Sequence, residues 1–168
     1  MGVAMLSFPL SKTSATQFTG IRQWVSGPST GIEVDVTTTD LGKIIQEYQP
    51  EFLVIDISML AIAIQHPDQQ WIIRLRTEEW PAHKDILSRS GIPYLDLLPG
   101  ADMGAVAQVI TEASPGFKLF IILSQPEKLD SWLNTPLYGI TLEGTDEISP
   151  GLKDYEGLSE ILERLETE

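Results

Sequence analysis

Short apolar runs alternate with segments of helical period along the whole chain, and this alternation limits the folds open to it. Most of the runs lack a strict apolar–polar alternation, which is typical of strands covered on both faces. Strands that alternate with helices predict a parallel sheet with crossover helices. Seven strands are predicted, at residues 4–8, 31–36, 51–57, 71–76, 93–98, 118–123 and 138–142.

The segments between the predicted strands carry helix signals. Pro81 suits the first turn of a helix that runs to Arg89 and is stopped by Gly91. The wholly apolar residues 59–64 predict a short buried helix, and a stripe over 158–165 predicts the last one. An earlier helix, with Thr39 or Asp40 as its expected cap, has apolar residues at i, i+3, i+4 and i+7: Leu41, Ile44, Ile45 and Tyr48.

Length and composition narrow the function classes. The 168 residues fit one domain, 1–168, and show no linker. A net charge of −13 argues against nucleic acid and anionic membranes as partners. No apolar run approaches the ~20 residues of a membrane helix, and no leader is recognisable, so we expect a cytoplasmic protein. Cysteine is absent and the two histidines lack partners at metal-ligand spacing, so we expect no cofactor.

Three segments resemble phosphoribosylanthranilate isomerase. The most specific is the last third, where a strand at 118–123, a helix and a strand at 138–142 lead to Gly144 and then to Ser-Pro-Gly-Leu-Lys-Asp at 149–154. Residues 6–11 are similar to the family's second strand, and residues 31–37 to its third. The resemblance spans essentially the whole chain. It implies a TIM-barrel-like (β/α) barrel and a role in tryptophan biosynthesis.

The resemblance begins one βα unit late, which leaves seven βα units. The family's opening strand, with its Lys-x-Cys-Gly motif, has no counterpart here, and a start upstream of Met1 is one possible reason. The strands at 4–8 and 138–142 would then have unpaired edges. We considered three resolutions: a barrel that shrinks to seven strands, a gap plugged by side chains, or a homodimer formed through the strand edges.

The family resemblance also implies catalytic roles. The family's reaction is an Amadori rearrangement, which needs a general acid and a general base around two carbons. Its acid, an aspartate at the end of the sixth strand, is matched by Asp96, although Asp96 could equally be a solvated or capping carboxylate. Its base is a cysteine, for which Asp56 or Asp96 would have to substitute.

The ligand-binding positions of the family are largely changed. The arginine after the second strand is replaced by Thr13, with Ser11 retained and Lys12 as a neighbouring point charge or an ordinary loop lysine. The phosphate loops become Ser124-Gln-Pro-Glu at one site and Glu143-Gly144 at the other. A carboxylate ~4 Å from a phosphate costs about 4 kcal/mol per charge pair at a dielectric of ~20, unless Glu143 points outward.

One further group follows from strand positions alone. Asp56 ends a predicted strand, and the next strand supplies Arg74 and Arg76. We expect these three side chains to form a polar cluster in the barrel mouth or a structural ion pair between strands.

Together these features predict a catalytically degenerate relative that binds a small molecule in the barrel mouth or acts as an interaction module. The alternative is an active phosphoribosylanthranilate isomerase with a substitute general base.

Overall fold

The computed structural model describes residues 3–38, 40–123, 126–144, 147–149, 152–153, 159 and 161–164. Its main sheet has seven strands: β1 Met5–Pro9, β2 Ser29–Glu33, β3 Phe52–Asp56, β4 Gln70–Arg76, β5 Tyr94–Leu98, β6 Lys118–Leu123 and β7 Gly139–Leu142. A separate antiparallel pair comprises β8 Glu147–Ser149 and β9 Leu152–Lys153.

Helices connect the strands as the alternation predicted. They are α1 Ala15–Trp24, α2 Leu41–Tyr48, α3 Leu60–Ala63, α4 Trp80–Ser90, α5 Met103–Ala113 and α6 Asp130–Leu133, and residues 161–164 are also helical. Of the predicted start and stop signals, Pro81 lies in the first turn of α4 and Gly91 ends that helix at φ 75°. Asp40 caps α2 by accepting a hydrogen bond from the Lys43 amide. None of the helices within the described ranges is long and apolar enough to cross a bilayer.

Strand β2 lies earlier than predicted, at 29–33 rather than 31–36. It ends early because of Asp35, whose side chain accepts a hydrogen bond from the Thr37 amide while its carbonyl accepts one from the Thr38 amide. Such an aspartate turn offers the backbone an alternative to the strand ladder. Asp35 is therefore an exposed turn residue and not part of a strand.

All seven strands of the main sheet are parallel, and their spatial order is their order in the sequence. Strands β1 and β7 are the two ends of that order and do not pair with each other. Of the three resolutions considered, the closed seven-stranded ring is therefore excluded for the strands that the structure describes. The sheet is an open half-barrel with seven βα units.

A contact between two strands that are not neighbours shows that the sheet curls. Thr141 Oγ1 on β7 donates a 2.7 Å hydrogen bond to Asp96 Oδ1 on β5. In a flat sheet these strands would lie about 10 Å apart, too far for two short side chains that project perpendicular to it. The concave face therefore brings distant strands together.

The main hydrophobic core lies between the convex face of the sheet and the helices. Leu53 and Ile55 on β3, and Ile73 and Leu75 on β4, are at most 1% exposed there. Their neighbours along each strand point to the concave face, because side chains alternate. A smaller cluster of Phe52, Val54 and Ile72 fills the centre of that face, with Met5 and Tyr94 packed against it.

We expect Gly31→Ala to destabilise the fold. A Cβ added at Gly31 would collide with the ring of Phe52 and lie 2.6 Å from its carbonyl oxygen. Overpacking of this kind costs about 1–3 kcal/mol in the free energy of unfolding, which urea denaturation measures. The matched control is Gly20→Ala in α1, where nothing lies within 4 Å of the added Cβ. Because alanine favours a helix over glycine, this change should raise the free energy of unfolding by up to about 1 kcal/mol. Equal effects at both positions would contradict the packing.

Candidate functional site in the mouth of the half-barrel

Polar side chains from five strands converge on the concave face, toward the carboxyl ends of the strands. This is the end of a parallel barrel where binding sites form. Their contacts are made across strands rather than along them. We call this group the mouth network; its members are Ser7, Glu33, Arg74, Asp96, Thr141 and Glu143.

The ion pair between Arg74 and Asp96 is the centre of the mouth network. The two residues face each other in the register of β4 and β5, and Arg74 Nε donates to Asp96 Oδ2 at 3.0 Å. The side chain of Asp96 is 3% exposed and that of Arg74 is 25% exposed. Asp96 is thus a buried carboxyl with both oxygens engaged, one by Arg74 and the other by Thr141.

Two further carboxylates approach the same guanidinium. Arg74 Nη1 donates to Glu33 Oε2 at 3.4 Å, and it lies 4.0 Å from Glu143 Oε1. Glu33 also accepts a 2.5 Å hydrogen bond from the Ser7 hydroxyl. The mouth network therefore holds three carboxylates around one guanidinium.

Burial and charge act in opposite directions on this pair. Burial raises the pKa of Asp96 above its ordinary value, and Arg74 together with the Thr141 hydrogen bond offsets part of that rise. Burial by itself would lower the pKa of Arg74, but the carboxylates of Asp96, Glu33 and Glu143 outweigh it and the pKa is raised. Asp96 thus retains its proton more readily than an exposed aspartate, while Arg74 stays charged.

The predicted grouping of Asp56 with Arg74 and Arg76 is not the one the structure forms. Asp56 Oδ1 accepts hydrogen bonds from the amide and the hydroxyl of Ser58, at 2.9 and 2.6 Å, and caps the 3-10 turn Ile57–Met59. It makes no ion pair with either arginine, although it lies opposite Arg74 in register. Arg76 is exposed, and no ion pair of its guanidinium is found within the described part of the chain.

The remaining predicted ligand-binding residues lie around the mouth but outside the network. Ser11 and Lys12 are exposed in the 3-10 turn that follows β1. Gly144 is exposed just after β7, with an ordinary backbone φ and space for a side chain. Ser124 lies outside the described residues. The structure therefore brings together Arg74, Asp96 and Glu143 from the predicted set.

Three members of the mouth network were missed by sequence reasoning: Ser7, Glu33 and Thr141. Each is a single polar residue between two apolar ones, at Leu6-Ser7-Phe8, Ile32-Glu33-Val34 and Ile140-Thr141-Leu142. That local alternation was the available signal, because in a strand it places the polar side chain opposite to its apolar neighbours.

The loops after β4 and β5 join to form one rim of the mouth. The Gly100 amide donates to Thr77 Oγ1 at 3.0 Å, and Thr77 is 4% exposed. A Cβ at Gly100 would collide with the carboxylate of Glu78, so the two loops are in close contact.

No group of three or more potential metal ligands is found in the ranges that the structure describes.

Solved structures with the same architecture reveal the fold to which the chain is similar. Phosphoribosyl anthranilate isomerase from Thermus thermophilus superposes with a TM-score of 0.76 at 16% identity, over 99% of this chain and 89% of that one. This chain has the phosphoribosylanthranilate isomerase fold. The TIM-barrel-like fold and the resemblance predicted from the sequence are thereby confirmed at the level of structure.

Two further phosphoribosylanthranilate isomerase structures agree. Monomers generated from the dimeric enzyme of Thermotoga maritima give a TM-score of 0.69 at 12% identity, covering 99% of this chain and 89% of that one. The enzyme from Pyrococcus furiosus gives 0.63 at 13% identity, covering 99% and 88%. No protein-family model and no curated protein sequence matches the chain. The phosphoribosylanthranilate isomerase fold is thus shared at an identity too low to carry residue roles with it.

We expect Arg74→Met to destabilise the protein more than Arg76→Met. Removal of one partner from a buried ion pair costs about 3–5 kcal/mol, and the partial exposure of Arg74 places the expected loss near the lower end, at about 3 kcal/mol. Arg76→Met removes the same charge two residues away on the same face, and we expect a change within about 0.5 kcal/mol. Urea denaturation measures both. Similar losses for the two variants would show that the ion pair with Asp96 is not a stabilising element.

The raised pKa of Asp96 predicts a specific pH dependence of stability. Because the folded state binds this proton more tightly than the unfolded state, the contribution of Asp96 is fully present below the unfolded pKa and is lost as pH rises through the folded pKa. Asp96→Asn removes that contribution, so the free energy of unfolding of wild type minus variant should fall as pH rises through this range. Carbon NMR of the Asp96 carboxyl should titrate above the ordinary aspartate value of 3.8. A midpoint at or below 3.8 would contradict the assignment.

Proposed function

We propose that the chain is a catalytically degenerate relative of phosphoribosylanthranilate isomerase that binds a small molecule in the barrel mouth. The observation that carries the proposal is that both carboxylate oxygens of Asp96 already accept hydrogen bonds within the protein. Asp96 is the counterpart of the general acid that the resemblance implies. Its two oxygens are engaged by Arg74 at 3.0 Å and by Thr141 at 2.7 Å. A carboxyl held by both oxygens in a buried ion pair has to break a stabilising contact before it can donate a proton.

The general base is equally difficult to assign. The resemblance implies a cysteine for this role, and the 168 residues contain none. Asp56 was the substitute considered, but its Oδ1 caps a turn through two hydrogen bonds from Ser58. A base of this kind must reach the proton that it removes, and Asp56 is oriented toward its own backbone.

The charge of the mouth supports a ligand other than a sugar phosphate. Three carboxylates surround one guanidinium, so the ionised mouth network has a net charge of about −2, and Arg74 already pairs with Asp96 and Glu33. Glu143 follows β7, next to the retained Gly144, with its side chain 58% exposed. A carboxylate ~4 Å from a phosphate would cost about 4 kcal/mol per charge pair at a dielectric of ~20. This repulsion exceeds the roughly 1 kcal/mol net contribution of each backbone hydrogen bond that the phosphate would gain.

An active isomerase is the second candidate, and one observation favours it. The pKa of Asp96 is raised by burial, which is how general acids retain a proton near neutral pH. In that case Asp96 would act as the acid and a further carboxylate, Asp56 among the predicted ones, as the base. The reaction would then require Arg74 to leave Asp96 when substrate binds.

We expect the purified chain to show no turnover of phosphoribosylanthranilate above the uncatalysed rate, since neither Asp96 nor Asp56 is available for proton transfer. Fluorescence of the substrate follows the reaction, with the Thermus thermophilus enzyme as the positive control. The chain should also fail to restore growth of a tryptophan auxotroph that lacks this isomerase. Substantial turnover, abolished in Asp96→Asn, would establish the isomerase instead.

A phosphate titration separates loss of binding from loss of chemistry. We expect no saturable change in the amide NMR signal of Gly144 up to about 10 mM inorganic phosphate, a limit of roughly −2.7 kcal/mol in binding free energy. Saturable binding below that concentration would show that the phosphate site is retained and would remove the electrostatic argument.

A further inference from the structure

Among the residues that the structure describes, β1 and β7 each present an edge that pairs with no further strand. The carbonyl of Ala4 accepts a hydrogen bond from the Ser29 amide, so alternation directs the backbone groups of Met5 and Ser7 away from β2. On the other side, the Tyr138 amide donates to the Leu119 carbonyl. Gly139 and Thr141 therefore direct their backbone groups away from β6. Each edge thus has two alternate residues whose N–H and C=O groups pair with no strand in the described part of the chain.

Burial of the concave face decreases toward these same edges. At its centre, Phe52 is 1% exposed and Ile72 is 5% exposed. Met5 on β1 is only half-buried, and Tyr138, which directly precedes β7, is 58% exposed. The ring of Tyr138 nevertheless lies 5.4 Å from that of Phe120, so it extends the apolar layer to the margin. The layer is covered in the middle and open at both ends.

We propose that the gap between β1 and β7 takes one extended segment of another polypeptide, which pairs with both edges and carries basic side chains at its mouth end. A parallel (β/α) barrel closes with eight strands, and the sheet provides seven. The 2.7 Å contact between Thr141 and Asp96 shows that the sheet curls, so its two edges bend toward the same, concave side. Addition of a strand to an exposed edge is an established mode of peptide recognition.

The charges near the gap specify the partner. Glu143 follows the unpaired strand β7 and is 58% exposed, and Glu33 lies one strand in from the β1 edge. A lysine or arginine on the mouth end of the inserted strand would lie close to both carboxylates, whereas a glutamate would be repelled. Apolar residues nearer its start would complete the layer that Met5 and Tyr138 leave open.

A second copy of the chain fits this gap poorly. Its own unpaired strands, β1 Met5–Pro9 and β7 Gly139–Leu142, carry no basic side chain, and each copy has a net charge of −13. Repulsion between two such chains opposes their association.

Peptide binding to the 168-residue chain tests the proposal. The probe is a fluorescein-labelled heptapeptide, Val-Thr-Val-Thr-Lys-Thr-Lys, and fluorescence anisotropy gives its Kd. One control replaces both lysines with glutamates, and a second methylates three alternate backbone nitrogens while keeping the charge. We expect each control to bind at least about tenfold more weakly, because one reverses the charge and the other removes pairing N–H groups.

Two variants place the peptide on the protein. Glu143→Gln should weaken the lysine peptide about fivefold, and Glu47→Gln, the same change on the outer helix α2, should leave it unchanged. No binding of the lysine peptide at millimolar concentration would overturn the proposal. So would equal binding of the methylated peptide, which indicates surface attraction alone. Sedimentation of the chain as a dimer that the peptide dissociates would assign the gap to a second copy and overturn it as well.

Discussion

A buried carboxyl needs a counter-charge, and in this protein Arg74 provides it to Asp96 from the neighbouring strand. The guanidinium that meets this need also attracts Glu33 and Glu143, one from each side of the curled sheet. The contacts across the curled sheet and the composition of the mouth therefore share one origin. An apolar pair at these two positions would leave the concave face without the contacts that join β2, β4, β5 and β7.

The mouth network has a second role because the ring of strands is open. In a closed barrel, curvature is imposed by hydrogen bonds that run around the ring without interruption. Here the backbone ladder stops at β1 and β7, and contacts across the concave face hold the ends of the arc. The hydrogen bond from Thr141 to Asp96 reaches over β6, and the one from Arg74 to Glu33 reaches over β3. Side chains thus supply part of the curvature that closure supplies elsewhere.

Most of the fold could be predicted from the sequence, because strand and helix signals are local. Six of the seven strands lie within two residues of their predicted ends, and the start and stop of α4 follow from Pro81 and Gly91. Strand β2 ends earlier than predicted because the Asp35 side chain forms a turn with the Thr37 amide, which apolar periodicity does not reveal. The sequence did not decide whether the ring of strands closes, because pairing between the first and last strands depends on the curvature of the whole sheet.

The site was less accessible to sequence reasoning, for a related reason. Asp56 and Arg74 are neighbours in register, as expected. Asp56 nevertheless accepts its hydrogen bonds from Ser58, because those donors lie only two residues away in the chain. Arg74 instead faces Asp96, which was predicted to be either the counterpart of the catalytic acid or a solvated or capping carboxylate, and not an ion-pair partner. Glu33 and Thr141 join only because the sheet curls, and no pattern within a single strand encodes that curl.

The joined rim formed by Thr77, Glu78 and Gly100 has a consequence for selectivity. The hydrogen bond from the Gly100 amide to the buried Thr77 hydroxyl joins these two loops, and the Glu78 carboxylate lies against Gly100. Gly144, on the opposite lip, has an ordinary backbone and open space beside it. A molecule entering the cup would therefore meet, at the joined rim, a surface whose shape these contacts set, whereas a side chain could be added at Gly144 without collision.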